Sequence, residues 1–287
     1  MTDAAWAGVA HRAGGQAQDD AAQGADQMAG EYPGAMTHPT VVGAATDVGR
    51  LRTVNEDGCI AISPVFIVVD GMGGHAAGQA ASRAAIEALH SLVGVPITSI
   101  DQVVDAVAAA QAAIVSIPSH AAFLPGATVA GAVIAELPDP DPLQPPQSTW
   151  LVFNIGDARV YLLRYNILSQ ITRDHSQVQV LIDSGELTAQ QARRDPRRNV
   201  VTRALGGGIA DTAIPDLYTL AVEPGDRLLV CSDGLSDELD DEALATILAA
   251  GFPAQRTAEL LVAASLEEGG HDNTTALVVD VPLPEHR

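Results

Sequence analysis

Four acidic residues each stand at the end of a short apolar run, and this arrangement constrains the fold more than any other feature of the chain. They are Asp70, Asp157, Asp233 and Asp272. Apolar runs of about four to eight residues, bounded by Gly, Asn or Asp, are typical of buried strands. A carboxylate at a strand end is held rigidly and still reaches the solvent-accessible rim of the sheet. Because hard cations prefer carboxylate ligands, the pattern predicts a Mg²⁺ or Mn²⁺ site suited to phosphoryl transfer or phosphate hydrolysis.

The remaining pattern mixes strands and helices without regular alternation. Residues 1–38 are rich in Ala, Gly, Gln and Asp with no sustained period, so we expect a disordered extension before one domain over 39–287. Helical spacing predicts helices at 76–93, 103–117, 242–250 and 254–266. Apolar runs predict strands at 60–62, 66–69, 128–135, 149–155, 160–164, 168–172, 227–231 and 274–281. This order favours an α+β layered fold over a doubly wound parallel sheet.

Composition limits the partners and the compartment. The formal net charge of −21 disfavours nucleic acid and anionic membranes as partners, because like charges repel. Cys59 and Cys231 stand in apolar surroundings, so we expect buried free thiols. The most apolar helical stretch, 103–115, is interrupted by polar residues and is too short to span a bilayer. The first residues lack the features of a secretory signal, and we expect a soluble, cytoplasmic protein.

The segment from Asp70 to His75 follows a predicted strand and opens a predicted helix. Gly71 lets the backbone approach a ligand closely, so its carbonyl is a candidate metal ligand. The same residues also satisfy the G-x-G-x-x-A pattern of a dinucleotide-binding loop. That alternative is weak, because no acidic residue ends a second strand about twenty positions later.

A charged segment lies just upstream. Arg52 offers a planar fork that matches phosphate oxygens, and Glu56 and Asp57 would add negative charge near a cation. Taken alone, this segment is equally typical of a solvated charged turn. Its meaning therefore depends on the other motifs.

Eight segments together resemble the type 2C metal-dependent Ser/Thr protein phosphatases (PPM family) of bacteria. The segments are 52–57, 70–75, 126–128, 156–159, 174–176, 198–206, 231–235 and 272–273. Each is unspecific by itself, but they occur in the order of the family and cover roughly residues 42–281. The resemblance implies a four-layer α-β-β-α sandwich of two mostly antiparallel sheets flanked by helices.

The resemblance also implies two Mn²⁺ or Mg²⁺ ions in a cleft at one end of the sandwich, with a third, weaker ion in bacterial members. Asp70 would bridge the first two ions, Asp233 and Asp272 would complete the first, Gly71 and Glu56 would serve the second, and Asp157 with Asp233 would hold the third. A water shared by two cations loses its proton more easily and becomes a nucleophile that attacks phosphorus in line.

The implied reaction is hydrolysis of phosphoserine and phosphothreonine on proteins, opposing a bacterial Ser/Thr kinase. Arg52 would bind the substrate phosphate and neutralise its equatorial oxygens. Asn273 would hydrogen-bond around the metal–water cluster, and residues 176–206 would form a flap beside the cleft. We expect a monomer that acts on phosphorylated proteins. The alternative function is a catalytically weak metal-binding domain that recognises phosphoproteins.

The chain departs from the family pattern at four positions, one of which is Asp195 in the flap, where relatives often carry a histidine before Pro196. Ala127 and Ala158 stand where relatives usually carry hydroxyl side chains. Met72 stands where eukaryotic relatives have a histidine proposed as general acid, while His75 comes three residues later. A catalytic or water-ordering role for His75 and a purely structural role both remain open. The arginine-rich tract 193–198 is equally compatible with steering of phosphopeptides and with a solvated loop.

Overall fold

Two antiparallel sheets lie face to face between two layers of helices in the computed structural model. The structure describes residues 39–118, 124–138, 143, 145–209 and 213–284, all within one compact unit, Met36–Arg287. The predicted disordered extension over 1–38 lies outside the described residues. None of the described helices is both long enough and apolar enough to cross a bilayer.

The strands form two sheets in which every described pairing is antiparallel. They are β1 (Val41–Asp47), β2 (Asp57–Ile62), β3 (Val65–Met72), β4 (Gly126–Leu137), β5 (Gln147–Ile155), β6 (Arg159–Arg164), β7 (Ile167–Gln170), β8 (Leu205–Gly206), β9 (Asp216–Ala221), β10 (Arg227–Cys231) and β11 (Thr274–Asp280). One sheet has the order β1-β11-β10-β6-β7, and the other has the order β2-β3-β4-β5-β9 with β8 paired to β4. The antiparallel pairing of β3 with both neighbours contradicts the dinucleotide alternative, which requires parallel βαβ units.

Helices lie on the outer face of each sheet, and two short helices, at 177–183 and 189–192, belong to the flap. The helices are α1 (His75–Leu89), α2 (Ile100–Val115), α3 (Gln177–Asp183), α4 (Ala189–Ala192), α5 (Asp233–Ser236), α6 (Asp241–Leu248) and α7 (Ala254–Glu268), with a short 3₁₀ turn at His90–Leu92. Helix α2 begins three residues before its predicted start because Ser99 and Gln102 form a capping box. The other predicted helices are confirmed within a few residues at each end.

Alternation along the strands divides the buried residues into three apolar layers. In β3, Ile67 and Val69 pack under α1 and α2, whereas Phe66 and Val68 point between the sheets. In β10, Leu229 packs against α6 and α7 on the other outer face. The predicted α-β-β-α architecture is therefore confirmed.

Sequence reasoning missed β1, β8 and β9. Strands β8 and β9 lie in the region between the flap and β10. Strand β9 is mostly half-exposed at the edge of its sheet, so it lacks the continuous apolar run that marks a buried strand. The predicted hairpin at Tyr165–Asn166 is present, and both residues adopt positive φ, as a two-residue hairpin turn requires.

Candidate metal centre and active site

One end of the layer between the two sheets opens into a polar cleft of about 260 Å³. Its walls come from the strand-end loops and from the flap. The lining residues are Arg52, Glu56, Asp70, Gly71, Met72, Gly73, Gly74, Thr128, Asp157, Asn199, Val201, Asp233 and Asp272. The four predicted strand-end aspartates thus meet in one cleft, although they lie far apart in the chain.

The pairing of β2, β3 and β4 places the first group of polar side chains at the cleft. Asp57, Asp70 and Thr128 lie opposite one another on β2, β3 and β4. Asp70 shares its strand face with Phe66 and Val68, which belong to the layer between the sheets. The strand face that is apolar at Phe66 and Val68 therefore becomes acidic at Asp70, near the end of β3, where it reaches the cleft.

The opposite sheet supplies the second group. Asp233 is the first residue of α5, directly after β10, and Asp272 lies just before β11. Asp157 lies in the turn between β5 and β6 and is 7% exposed. Asp57 joins the two sheets, because its Oδ2 accepts hydrogen bonds from Ser232 Oγ at 2.8 Å and from Thr275 Oγ1 at 2.7 Å.

Like charges dominate the electrostatics of the cleft. Burial, followed by the charges of Asp233 and Asp57, raises the pKa of Asp70 well above its ordinary value. Burial and the neighbouring charges of Asp157 and Asp237 do the same to the pKa of Asp233. A divalent cation among these carboxylates reverses the effect, since it favours the ionised form.

Two further carboxylates share this environment. Burial, with the charges of Asp174 and Asp237 next in size, raises the pKa of Asp157 to about 7. Burial raises the pKa of Asp57 to about 6, against the hydrogen bonds from Thr275 and Ser232, which favour its ionised form.

The donor chemistry fits hydrated hard cations. Oδ1 of Asp233 and Oδ1 of Asp57 are buried without a hydrogen-bond partner among the described residues. Within the described part of the chain, no three His, Cys, Asp or Glu side chains already surround a point as a complete ligand set. Mg²⁺ keeps several waters and takes only one or two carboxylates directly, so a sparse oxygen set of this kind suits it.

Glycine makes room beside these carboxylates. A Cβ on Gly71 would lie 2.2 Å from the carbonyl oxygen of Gly78, and one on Gly78 would lie 2.9 Å from Oε1 of Glu56. The first turn of α1 therefore approaches β3 and Glu56 closely. Gly71 lines the cleft, and its carbonyl as a metal ligand stays a prediction.

Arg52 borders the cleft on its solvent side. Its Nη2 donates to Oδ2 of Asp272 at 2.6 Å, and its side chain is 49% exposed. The charges of Glu56 and Asp70 also act on it and favour its charged form. An exposed guanidinium beside an acidic cleft is able to exchange a carboxylate for a phosphate partner.

Asn273 holds the loops around the cleft together. Its Oδ1 accepts from the backbone N–H of Glu56 at 2.8 Å, and its Nδ2 donates to the carbonyls of Val48 at 2.9 Å and Val54 at 3.0 Å. Both amide hydrogens are engaged by backbone carbonyls. The contacts therefore support a positioning role in place of the predicted bond to the metal–water cluster.

The flap closes one side of the cleft through Asn199 and Val201. Three arginines of the tract 193–198 are bound within the protein. Arg193 donates to the carbonyls of Ser236 and Asp237, Arg197 pairs with Asp195, and Arg198 lies 3.7 Å from Asp237. These contacts favour attachment of the flap to the end of α5 over steering by free charges.

Of the departures from the family pattern, Met72 lines the cleft, whereas Ala127 and Ala158 lie outside its wall. Ala127 is buried in the layer under α1 and α2, and Ala158 is buried between the sheets. The loss of a hydroxyl at each of these two positions therefore changes the packing of an apolar layer and not the lining of the cleft. His75 begins α1, and its side chain lies outside the described part of the structure. Neither thiol lines the cleft. Cys231 is buried as predicted, whereas Cys59 is half-buried, and burial raises the pKa of Cys59 to about 11 and that of Cys231 to about 12.

Two residues near the cleft were missed as site candidates. Asp237 contributes negative charge to both Asp157 and Asp233. It follows Asp233 by four residues, a spacing that places both on one side of a helix and that was visible in the sequence. Thr128 lines the cleft with a buried hydroxyl that has no partner among the described residues.

Comparison with known proteins decides the family. The profile of the family described as Protein phosphatase 2C matches residues 52–268, which include every lining residue of the cleft except Asp272. The chain belongs to this family.

Bacterial members of the protein phosphatase 2C family resemble the chain along most of its length. Serine/threonine protein phosphatase PstP of Mycobacterium tuberculosis (strain H37Rv) is 36% identical over 243 residues, which cover 83% of this chain and 44% of that protein. The chain thus spans less than half the length of this relative. Serine/threonine phosphatase stp of Listeria monocytogenes (serotype 4b) is 31% identical, with 84% of this chain and 95% of that protein covered.

Solved structures give the same result. The crystal structure of the Mycobacterium tuberculosis phosphatase PstP/Ppp matches with a TM-score of 0.76 and 34% identity, covering 85% of this chain and 99% of that chain. The catalytic domain of PstP in complex with two manganese ions matches with a TM-score of 0.74 and 34% identity, covering 85% and 100%. The predicted family and fold are confirmed, and the predicted reaction class is the one named for these relatives.

Proposed function

We propose that this protein phosphatase 2C family member hydrolyses phosphoserine and phosphothreonine on proteins with the help of Mn²⁺ or Mg²⁺. The observation that carries the proposal is the convergence of Asp70, Asp157, Asp233 and Asp272 with Arg52 on one cleft. Relatives named as serine/threonine phosphatases, and a related catalytic domain with two manganese ions, support it. We also propose that its substrates are phosphorylated by a Ser/Thr kinase in the cytoplasm and that it acts as a monomer.

The family resemblance implies which oxygen donors would hold the cations. Asp70, Asp233 and Asp272 would hold the first ion, and Asp70 with the carbonyl of Gly71 and the carboxylate of Glu56 would hold the second. Asp157 with Asp233 would hold a third. When bound, the ions supply a water of lowered pKa and offset the charge of the phosphoryl group.

The protein side chains bind and orient the substrate. Arg52 leaves Asp272 for two phosphate oxygens, because its planar fork matches them in a bidentate fashion and its side chain is half-exposed. The guanidinium thereby neutralises equatorial oxygens as the attacking and leaving oxygens align. Asn273 keeps Glu56 and Asp272 in fixed positions, because its Oδ1 accepts from the backbone N–H of Glu56 and its own backbone N–H donates to Oδ1 of Asp272.

The size of the cleft favours a phosphorylated side chain over a whole small molecule. Its volume of about 260 Å³ is below that of typical drug-sized ligand pockets, which span about 300–1,000 Å³. Only the phosphorylated side chain would be enclosed, and the peptide backbone would lie across the rim formed by Arg52 on one side and the flap on the other. Contacts of the protein substrate are then made mainly outside the metal centre.

The test is the hydrolysis of p-nitrophenyl phosphate and a phosphothreonine peptide with Mn²⁺, with Mg²⁺ and with EDTA. We expect metal-dependent phosphate release from both substrates and none in EDTA. A matched control is Asp105→Asn, which changes an exposed aspartate on α2 away from the cleft and should leave release unchanged. Metal binding and tight phosphopeptide binding without release would contradict the proposal and favour the phosphoprotein-recognition alternative.

A further inference from the structure

His175 lies at the base of the flap and contacts the turn that carries Asp157. The side chain of His175 is 4% exposed. Its backbone N–H donates to the carbonyl of Gly156 at 2.8 Å, and its Nδ1 accepts from the N–H of Gly156 at 3.0 Å. Both polar groups of the residue directly before Asp157 are thus held by one histidine.

The other side of His175 contacts the end of the flap. The N–H of Thr202 donates to the carbonyl of His175 at 2.7 Å, and Ser176 pairs with Val201 in an isolated antiparallel bridge. The flap therefore leaves and re-enters the domain at one point. His175 belongs to that point, and Val201 reaches from it into the cleft wall.

The imidazole has a defined hydrogen pattern. Because Nδ1 accepts from Gly156, the hydrogen of the neutral ring is on Nε2, which lies 3.1 Å from Oδ2 of Asp216 and 2.8 Å from Nη1 of Arg203. Arginine is a donor only, so the carboxylate of Asp216 is the acceptor for this hydrogen. Arg203 Nη1 donates to Oδ1 of the same carboxylate at 2.6 Å. A protonated ring has no acceptor for Gly156, and burial lowers the pKa of His175 from its ordinary value of 6.5.

The turn around Gly156 is closely packed against the cleft wall and tied to the segment before His175. Gly156 has φ +103°, and a Cβ on it would lie 2.4 Å from Cβ of Thr128 in the cleft wall. Asn154 Nδ2 also donates to the carbonyl of Arg173 at 2.9 Å, which ties the strand before the turn to the segment before His175. The position of Asp157 is therefore coupled to the position of the histidine ring.

We propose that His175 is a positioning residue that fixes the Asp157 turn to the base of the flap and so sets the affinity of the cation held by Asp157. This inference rests on the proposed metal-dependent function of the cleft. It predicts that the acceptor at Nδ1 determines cation affinity at Asp157. The contact of Nε2 with Asp216 would serve mainly to hold the ring.

Two amide substitutions separate the roles of the ring nitrogens. The amide of His175→Asn reaches the Nδ1 position and is able to accept from Gly156, whereas that of His175→Gln reaches the Nε2 position and leaves Gly156 without its acceptor. His90→Asn is a matched control on the exposed 3₁₀ turn. For each full-length variant, hydrogen exchange of the 153–160 region and Mn²⁺ titration by calorimetry are measured beside the wild type and Asp157→Asn.

We expect His175→Gln to exchange faster around Gly156 and to bind the weakest Mn²⁺ about tenfold less tightly, as loss of an outer-sphere partner does in other metal sites. His175→Asn should stay within about threefold of the wild type on the same scale, and His90→Asn should not change. Equal Mn²⁺ affinity in the Gln variant and the wild type overturns the proposal. The proposal is also overturned if His175→Gln and His175→Asn weaken Mn²⁺ binding equally. The same holds if the wild type and Asp157→Asn bind the same number of Mn²⁺ ions, because Asp157 then holds none.

Calorimetry and exchange report on the cation and the turn without any turnover. Absence of phosphate release by the wild type would therefore count against the proposed function and leave the test of His175 intact. Conversely, normal release with unchanged Mn²⁺ affinity in His175→Gln would count against His175 alone.

Discussion

Strand β10 carries an acidic residue near each of its ends, and the two differ in what surrounds them. Asp226, just before the strand, is 1% exposed. It accepts hydrogen bonds from Trp150 Nε1 at 2.9 Å and from Arg164 Nε and Nη2 at 2.7 and 2.8 Å. Asp233, just after the strand, is surrounded by the negative charges of Asp157, Asp237 and Asp272, which raise its pKa after burial. Its Oδ1 has no hydrogen-bond partner among the described residues.

The comparison separates a structural carboxylate from one that requires a cation. Burial of a carboxylate costs several kcal/mol unless donors or opposite charges offset it. Arg164, Trp150 and a backbone N–H supply that compensation to Asp226. The cleft around Asp233 supplies mostly further negative charge, so ions from solution must complete it. Local rules of stability are violated here in the way expected of a functional site.

The largest expected effect is loss of turnover in Asp70→Asn. Asn is nearly isosteric but removes the central negative charge of the cluster, so phosphate release should fall by at least about 100-fold. Without metal, the free energy of unfolding should rise, because repulsion with Asp233 and Asp57 is relieved. Release from a phosphothreonine peptide and urea unfolding in EDTA measure the two effects.

Added Mn²⁺ supplies the control for this variant. A ligand that binds only the native state at about 100 times its dissociation constant stabilises it by about 2.7 kcal/mol. The wild type should gain this stabilisation and Asp70→Asn should lose most of it. Retention of both activity and Mn²⁺ stabilisation by the variant would remove Asp70 from the proposed site.

Asp226→Ala should have the opposite profile. It leaves Arg164 and Trp150 without their shared acceptor, and breaking a buried pair of this kind costs about 3 kcal/mol of the free energy of unfolding. Turnover per folded molecule and stabilisation by Mn²⁺ should stay at the wild-type level, because the residue lies at the other end of β10. Urea unfolding with and without Mn²⁺ measures this, and a fall in metal stabilisation would break the comparison.

This pair also shows how far the sequence alone predicts the site. Asp226 follows Gly225 and precedes an apolar run, so it meets the strand-end pattern as well as Asp233 does. Only the motif order of the family separated them before the fold was known. The physical difference is Arg164, which is distant in sequence and becomes a neighbour through the pairing of β6 with β10.

Layers, helices and most strands were predictable, because burial leaves a periodic pattern in the sequence. Long-range polar contacts leave none. The engagement of Asn273 by Val48 and Val54 depends on loop geometry. So does the attachment of Arg193 to the end of α5. For this reason the sequence predicted which residues meet in the cleft better than it predicted what each residue does there.

The smallest expected effect concerns pH and the histidine at the base of the flap. Burial lowers the pKa of His175 in the folded protein, so the unfolded chain binds this proton first as pH falls. The unfolded state then holds more protons than the native state, and the free energy of unfolding decreases below about pH 6.5, the ordinary value for His. Asp216, Arg203 and Asp174 face the ring. The charge of Arg203 lowers the pKa of His175 further, and those of Asp216 and Asp174 raise it without reversing the effect of burial. Urea unfolding of the wild type and His175→Asn between pH 5 and about 8 should show a steeper acid-side decrease in the wild type. Identical slopes would mean that His175 accepts a proton as easily in the native state as in the unfolded chain, and the neutral acceptor for Gly156 would lose its support.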